Sequence, residues 1–255
     1  MTTKNHLASN ILIMTHRNLL KTLHNPDSLS DVIIEPVIFT LLFGYLFGGV
    51  IAGSVHAYLP MLVSGILVQS ILNAASGSGQ QLREDINAGV FARFKTLPIS
   101  PIAPLAGQLV GDSLRLLLSG VAALTTAFLM GWRPTVGLPT LVAVLLLAIF
   151  IGWSTSWIFA LVGLMAKNAE LIGSLSMIII LVLTFLSNAF IPTKTLPRFI
   201  QTIVKLNPVS LTITAIRMIL RTGNWSSNAT MVLISGGIII LIFMPLTVFI
   251  YQQRD

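Results

Sequence analysis

Few side chains in this sequence could do chemistry, and most of those sit inside long apolar runs. Glu35 lies near the start of the first run, and Gln69, Asn73 and Ser76 recur at helical spacing along one face of the second. A carboxylate within a hydrophobic span is costly and ordinarily faces a partner or a water-filled path. Glu35 therefore either lines such a path or sits at the level of the lipid headgroups. Gln69, Asn73 and Asn188 are candidates for the same path. Polar residues of this kind also hold helices together, and Asn188, at the end of a span, could equally serve as a cap. Asp112 and Arg115 stand three apart, a spacing that lets them pair on one helix face. That pattern suits a structural ion pair better than a substrate contact.

No catalytic constellation accompanies these residues. The four histidines, His6, His16, His24 and His56, are dispersed, and without a His-Glu-x-x-His pattern no metal site is expected. Cysteine is absent, which removes disulfides, thiolate ligands and thiol nucleophiles. Gly77-Ser78-Gly79 is not the Gly-x-Ser-x-Gly elbow of hydrolases. The P-loop pattern Gly-x-x-x-x-Gly-Lys-Ser/Thr does not occur, so any nucleotide-driven work would need a motor on another chain.

The elements that carry these residues follow from composition. Of 255 residues, 55% are hydrophobic and 9% charged, against about 25% charged in soluble domains. Several runs reach the roughly 20 residues that cross the hydrocarbon layer as a helix. Lipid requires backbone groups to be satisfied within the segment or in a closed barrel, and continuous runs without ten-residue alternation exclude the barrel. The expected fold is an all-α membrane bundle of six spans, at about 32–51, 58–79, 105–130, 138–165, 171–190 and 231–251, with Pro245 kinking the last. The first apolar run is too long for a cleaved signal sequence. A net charge of +7 invites a nucleic-acid reading, but the basic residues are scattered between spans, so no nucleic-acid partner is expected. Anionic headgroups account for them. Six spans put both termini on one side. Basic residues lean weakly toward the cytoplasm for that side, and all eight acidic residues fall on or near it.

Residues 1–31 form a separate N-terminal unit, with a helix over 4–24 that carries Arg17, Lys21 and His24 on one face and Leu12, Leu19 and Leu23 roughly opposite. It lies either on the membrane surface or free in solvent. Residues 32–255 form the transmembrane domain. Between spans 2 and 3, Ile86, Val90, Phe94 and Leu97 make one apolar stripe on a short helix stopped by Pro98 and Pro101. Such a helix either docks into a groove on a cytoplasmic partner or rests on the lipid interface. The connection 191–230 holds two apolar stretches too short to span, separated by Asn207-Pro208. They suit re-entrant half-helices, with an external cap as the competing view. Small residues at Gly44 and Gly48, and at Gly152, Ser156 and Ala160, mark close helix approaches, within the chain or at a dimer seam. Two Asn-x-Ser/Thr triplets, at Asn224 and Asn228, are short enough to arise by chance.

Three stretches together resemble the permease subunit of ATP-driven drug exporters of the ABC-2 type. The first is Leu41-Leu42-Phe43-Gly44-Tyr45-Leu46-Phe47-Gly48 in span 1. The second is Glu84, Asp85, Gly89 and Arg93 ahead of Leu97-Pro98-Ile99-Ser100. The third is Leu186-Ser187-Asn188-Ala189-Phe190-Ile191-Pro192 with Pro197, Asn207, Pro208 and Arg217. They follow in the expected order across nearly the whole chain, although Pro101 stands where the family often has a basic residue. The resemblance implies a coupling helix over 83–100 that meets a separate ATP-binding-cassette ATPase through Glu84, Asp85, Gly89, Arg93, Phe94, Leu97 and Pro98. It further implies ATP and magnesium held by that partner, none bound by this chain, and two permease copies, identical or closely related, with the path between them. The setting would be the plasma or inner membrane, the cargo a drug-like amphiphile. Export of a polysaccharide or lipid-linked glycan uses the same subunit class. An ion-driven secondary transporter would have to rely on Glu35 and Asp112, and a membrane enzyme lacks its catalytic residues.

Overall fold

The computed structural model describes residues 7–24, 26–90, 102–190 and 197–253. Among them the chain is all helix, turn and loop. In order come α1 (Leu7–Leu23), α2 (Pro26–Ala52), α3 (Val55–Asn87), α4 (Ala103–Gly111), α5 (Ser113–Leu129), α6 (Leu138–Met165), α7 (Ala169–Phe185), α8 (Arg198–Leu206), α9 (Pro208–Thr222) and α10 (Ser227–Gln253). Five stretches are long and apolar enough to cross a membrane: Leu29–Ala52, Val55–Asn87, Ala103–Leu129, Leu138–Met165 and Ser227–Gln253. A sixth is reached if the pair α8 and α9, bent by 78° at its break, counts as one span.

Local chemistry sets the ends of these helices. Ser54 Oγ accepts from the Ala57 N–H (3.2 Å) to open α3, and Asn168 Oδ1 accepts from the Leu171 N–H (3.0 Å) to open α7. These side chains satisfy amides that have no partner inside the helix. Pro245 sits within α10, which runs on without a break.

The long helix α3 is the axle of the bundle. Leu62, Ile66, Leu67, Ile71 and Leu72 are buried against Val144, Leu147, Ala148 and Ile151 of α6 and Leu116 of α5. A smaller cluster of Leu82, Leu105, Leu109, Trp157, Ala160 and Leu164 knits the last turns of α3 to α4 and α6. Lipid offers no hydrophobic drive between helices, so close van der Waals fit holds such a bundle together. Backbones meet where Gly79 faces the Phe159 carbonyl and Gly163 faces Gly79. Gly152 receives Ile71, Gly44 receives Met130, and Gly48 lies on Val55. The small-residue stripes of spans 1 and 4 are thus filled within the chain.

Several boundaries differ from those read off the sequence. Helix α2 starts at Pro26, ahead of the first apolar run. The third span is divided into α4 and α5 by a break at Asp112. The fifth ends at Phe185 rather than 190, because the Asn207 side-chain amide takes the carbonyls of Leu183 (2.7 Å) and Leu186 (2.8 Å) that would otherwise continue the helix. At 17 residues α7 is short for a full crossing. Helix α3, in turn, runs on past 79 to Asn87.

Candidate functional site

A cavity of about 790 Å³ opens between α2, α3, α5 and α7. Its α3 wall is a polar stripe of Gln69, Asn73, Ser76 and Gln80, spaced three and four residues apart so that they share one face. The α2 and α7 walls are chiefly apolar, with Ile38, Phe39, Ile180 and Phe185 among them. Glu35 projects from α2 into this space, and the Asn73 side-chain amide donates a hydrogen bond to its Oε1. Three of the four path candidates, Glu35, Gln69 and Asn73, are therefore brought together.

The fourth is not. Asn188 lies beyond the end of α7, where its side-chain N–H donates to Thr214 Oγ1 (2.8 Å). It belongs to a hydrogen-bonded knot at the end of the bundle where α3 begins. Arg217 of α9 donates to Ser64 Oγ (3.2 Å) and to the carbonyls of Met61 (3.3 Å) and Asn188 (3.2 Å). Tyr58 Oη donates to the Phe190 carbonyl (3.0 Å), and Asn207 Oδ1 accepts from the Val209 N–H (2.9 Å) to cap α9. The Phe190 ring stacks on Phe43 at 4.2 Å, and Phe43 stacks on Phe39 at 5.8 Å. An aromatic column thus runs from the cavity to this knot. The separated residues Asn188, Asn207 and Arg217 act as one staple between α3, α7 and α9.

Arg115 is a cavity residue that the sequence reading assigned elsewhere. Among the described residues no ion pair within 4 Å joins it to Asp112. Its guanidinium lies against Gly77 of α3, where any side chain would collide with it. The i, i+3 spacing keeps the two charges near enough to act on each other, while the glycine gap opposite Arg115 draws its guanidinium onto α3 and out of a contact pair. Asp31, Gln80 and Ser119 also line the cavity. Helical spacing could have found them, since Asp31 is one turn from Glu35, Gln80 from Ser76 and Ser119 from Arg115.

At the other end of α3 the acidic pair divides. Glu84 is exposed. Asp85 is 6% exposed and faces α1, with Lys21 Nζ at 2.7 Å from Oδ1 and Arg17 Nη1 at 3.6 Å from Oδ2. Arg83 turns the other way and donates to the Lys167 carbonyl. Helix α1 completes the contact by packing Met14 and Asn18 onto Gly107 and Gly111 of α4, with Leu12, Ile13, Leu20 and Leu23 left exposed. Gly89 has φ +68° and ends α3, its N–H donating to the Ile86 carbonyl at 3.0 Å. A left-handed residue after a helix is the usual glycine stop. Ile86 therefore belongs to α3, and the stripe expected to run from Ile86 through Val90 is interrupted by that turn. Arg93, Phe94, Leu97 and Pro98 lie outside the described residues, as does Pro192.

Comparison with known proteins agrees with this architecture. The profile of the ABC-2 type transporter family matches residues 9–221. The chain is 36% identical to the daunorubicin resistance ABC transporter permease protein DrrB1 of Streptomyces coeruleorubidus, over 95% of this chain and 86% of the relative. It is 28% identical to the putative transport permease ycf38 of Porphyra purpurea (88% and 78%). Against the probable doxorubicin resistance ABC transporter permease protein DrrC of Mycobacterium tuberculosis strain H37Rv it is 21% identical (93% and 86%). A multi-pass bundle of apolar helices around a polar-striped cavity is what a transport permease requires. This chain belongs to the ABC-2 type transporter family and is a permease, the membrane component of an ABC transporter whose ATPase is a partner subunit.

Proposed function

We propose that the chain forms one half of the export path for a drug-like amphiphile, with the cavity between α2, α3, α5 and α7 as its share of that path. The observation that carries this reading is the pairing of a polar stripe on α3 with apolar walls on α2 and α7. An amphiphile needs both surfaces, and a mostly apolar site with a few placed polar groups is the usual form of a small-molecule site. The names of the drug-resistance permeases it is similar to support the same cargo class.

In this proposal both termini face the cytoplasm, in the plasma or inner membrane. Residues 1–31 form the interfacial unit and 32–255 the transmembrane domain. Helices α8 and α9 dip into the membrane as a re-entrant pair, and a second permease copy, identical or closely related, closes the path. The ATPase, holding ATP and magnesium, engages the 83–100 segment through exposed Glu84 and the residues beyond Gly89. Its closure on ATP shifts an equilibrium between two packings of α2, α3 and α7, because a ligand acts only by favouring one state. Asp85 contributes indirectly, by fixing α1 beside the coupling segment. Tagging the chain, extracting it gently from native membranes and identifying what co-purifies tests the reading. A stoichiometric P-loop subunit, lost when residues 83–100 are altered, is the expected result. A chain that comes out alone and transports in liposomes without ATP would overturn it.

A further inference from the structure

Within the cavity the charges are not evenly distributed. Arg115 sits against Gly77, one turn of α3 from Asn73 toward the Asn87 end. There it also lines a small hollow of about 70 Å³ that Asp31, Glu84 and Lys21 share, so its field is met by those two carboxylates and by buried Asp112. Glu35 lies a turn away along α2 from Asp31, and among the described residues no cation stands within 4 Å of it. Asn73 donates to one carboxylate oxygen and holds the group in place. The α2 and α7 walls of the same cavity are chiefly apolar, with Ile38, Phe39, Ile180 and Phe185 among them. A carboxylate in an apolar setting gains most from a counter-charge, and the faces of aromatic rings also attract cations.

We infer that Glu35, positioned by Asn73, selects cargo that carries a cationic nitrogen or equivalent onium centre on an apolar body. The inference rests on the reading of the cavity as the transport path and names the cargo chemistry that path prefers. An anionic amphiphile would meet Glu35 with like charge, and a neutral one would leave the carboxylate without a counter-ion.

Three probes with similar phenyl bodies and different charge test it: tetraphenylphosphonium, tetraphenylborate and neutral triphenylphosphine oxide. Binding is measured to the full chain with its co-purified ATPase in lipid nanodiscs, with empty nanodiscs subtracted. Saturable phosphonium binding is expected, with a Kd lower by about tenfold or more than that for the borate. Glu35→Gln keeps the shape and should raise the phosphonium Kd by about tenfold with the phosphine oxide unchanged, while Asn73→Ala gives a smaller loss. Unaltered phosphonium binding by Glu35→Gln, or a preference of the wild type for the borate, would overturn the inference. A cavity-filling Ile180→Trp variant separates the two levels. If it blocks phosphonium binding and Glu35→Gln does not, the path stands and the charge selection falls. If Ile180→Trp leaves phosphonium binding intact, the ion binds elsewhere and both readings fall.

Discussion

Asp85 and Gly89 stand four positions apart at the end of α3 and do unlike things. Asp85 is buried and holds Lys21 and Arg17, but both cations are about a third exposed, so water screens the pair and its worth is about 1 kcal/mol. Asp85→Asn should therefore speed amide exchange across Leu7–Leu23 by about fivefold while the bundle stays folded, measured by hydrogen exchange on the purified permease. Unchanged exchange would mean that the contact with Gly107 and Gly111 holds α1 by itself. Gly89→Ala meets no atom of the described residues within 4 Å, so its cost is the left-handed backbone, roughly 1–2 kcal/mol. The expected outcome is a folded permease whose export per ATP hydrolysed drops, read in vesicles that contain both subunits. Wild-type coupling in a well-expressed variant would count against a role for the turn in aiming the coupling segment. The acidic pair Glu84 and Asp85 was legible in the sequence. Which of them faces outward was not, because that depends on how α3 is rotated against α1.

The helices themselves were largely legible, since each span is an apolar run of fixed minimum length. What the pattern missed was where neighbours stop them. Asn207 opens α9 and also takes two carbonyls from the end of α7. One side chain thus terminates a helix through carbonyls 21 and 24 residues earlier in the chain, a contact no local spacing could announce. Asn207→Ala removes a cap and two further hydrogen bonds and should destabilise the permease by about 2–4 kcal/mol, seen as a lower Tm in detergent. The α3 and α6 crossing depends on Gly79 and Gly163, whose backbones touch. Gly163→Ala should cost about 1–3 kcal/mol through overpacking, whereas Gly237→Ala, with nothing among the described residues within 4 Å, should leave the Tm unchanged. Equal effects at both positions would show that the crossing is not close-packed.

At the scale of the whole molecule the cavity is walled by α2 and α7, and both helices also carry exposed apolar residues such as Ile34, Leu42, Ile178 and Val182. The proposal of two copies about a shared path makes this side the seam and leaves α10 to lipid. The chain has no cysteine, so single substitutions report cleanly. Ile34→Cys is expected to give a disulfide-linked dimer in oxidised native membranes, and Leu241→Cys on α10 is not, both judged by non-reducing gel mobility. Disulfides need Cα atoms within about 7 Å, so the reverse result would move the seam to α10.

Composition and apolar run length by themselves determined a helical membrane protein, its approximate spans and the polar residues able to face a path, because lipid constrains every residue of a crossing segment in the same way. Motifs in sequence order pointed to the permease family. Only the tertiary structure decided that Glu35 meets Asn73, that Arg115 packs on Gly77, that Asn188 joins Arg217, and that the small-residue stripes are filled from within. Each of these depends on the rotation and crossing of helices far apart in the chain, which periodicity along a single helix does not encode.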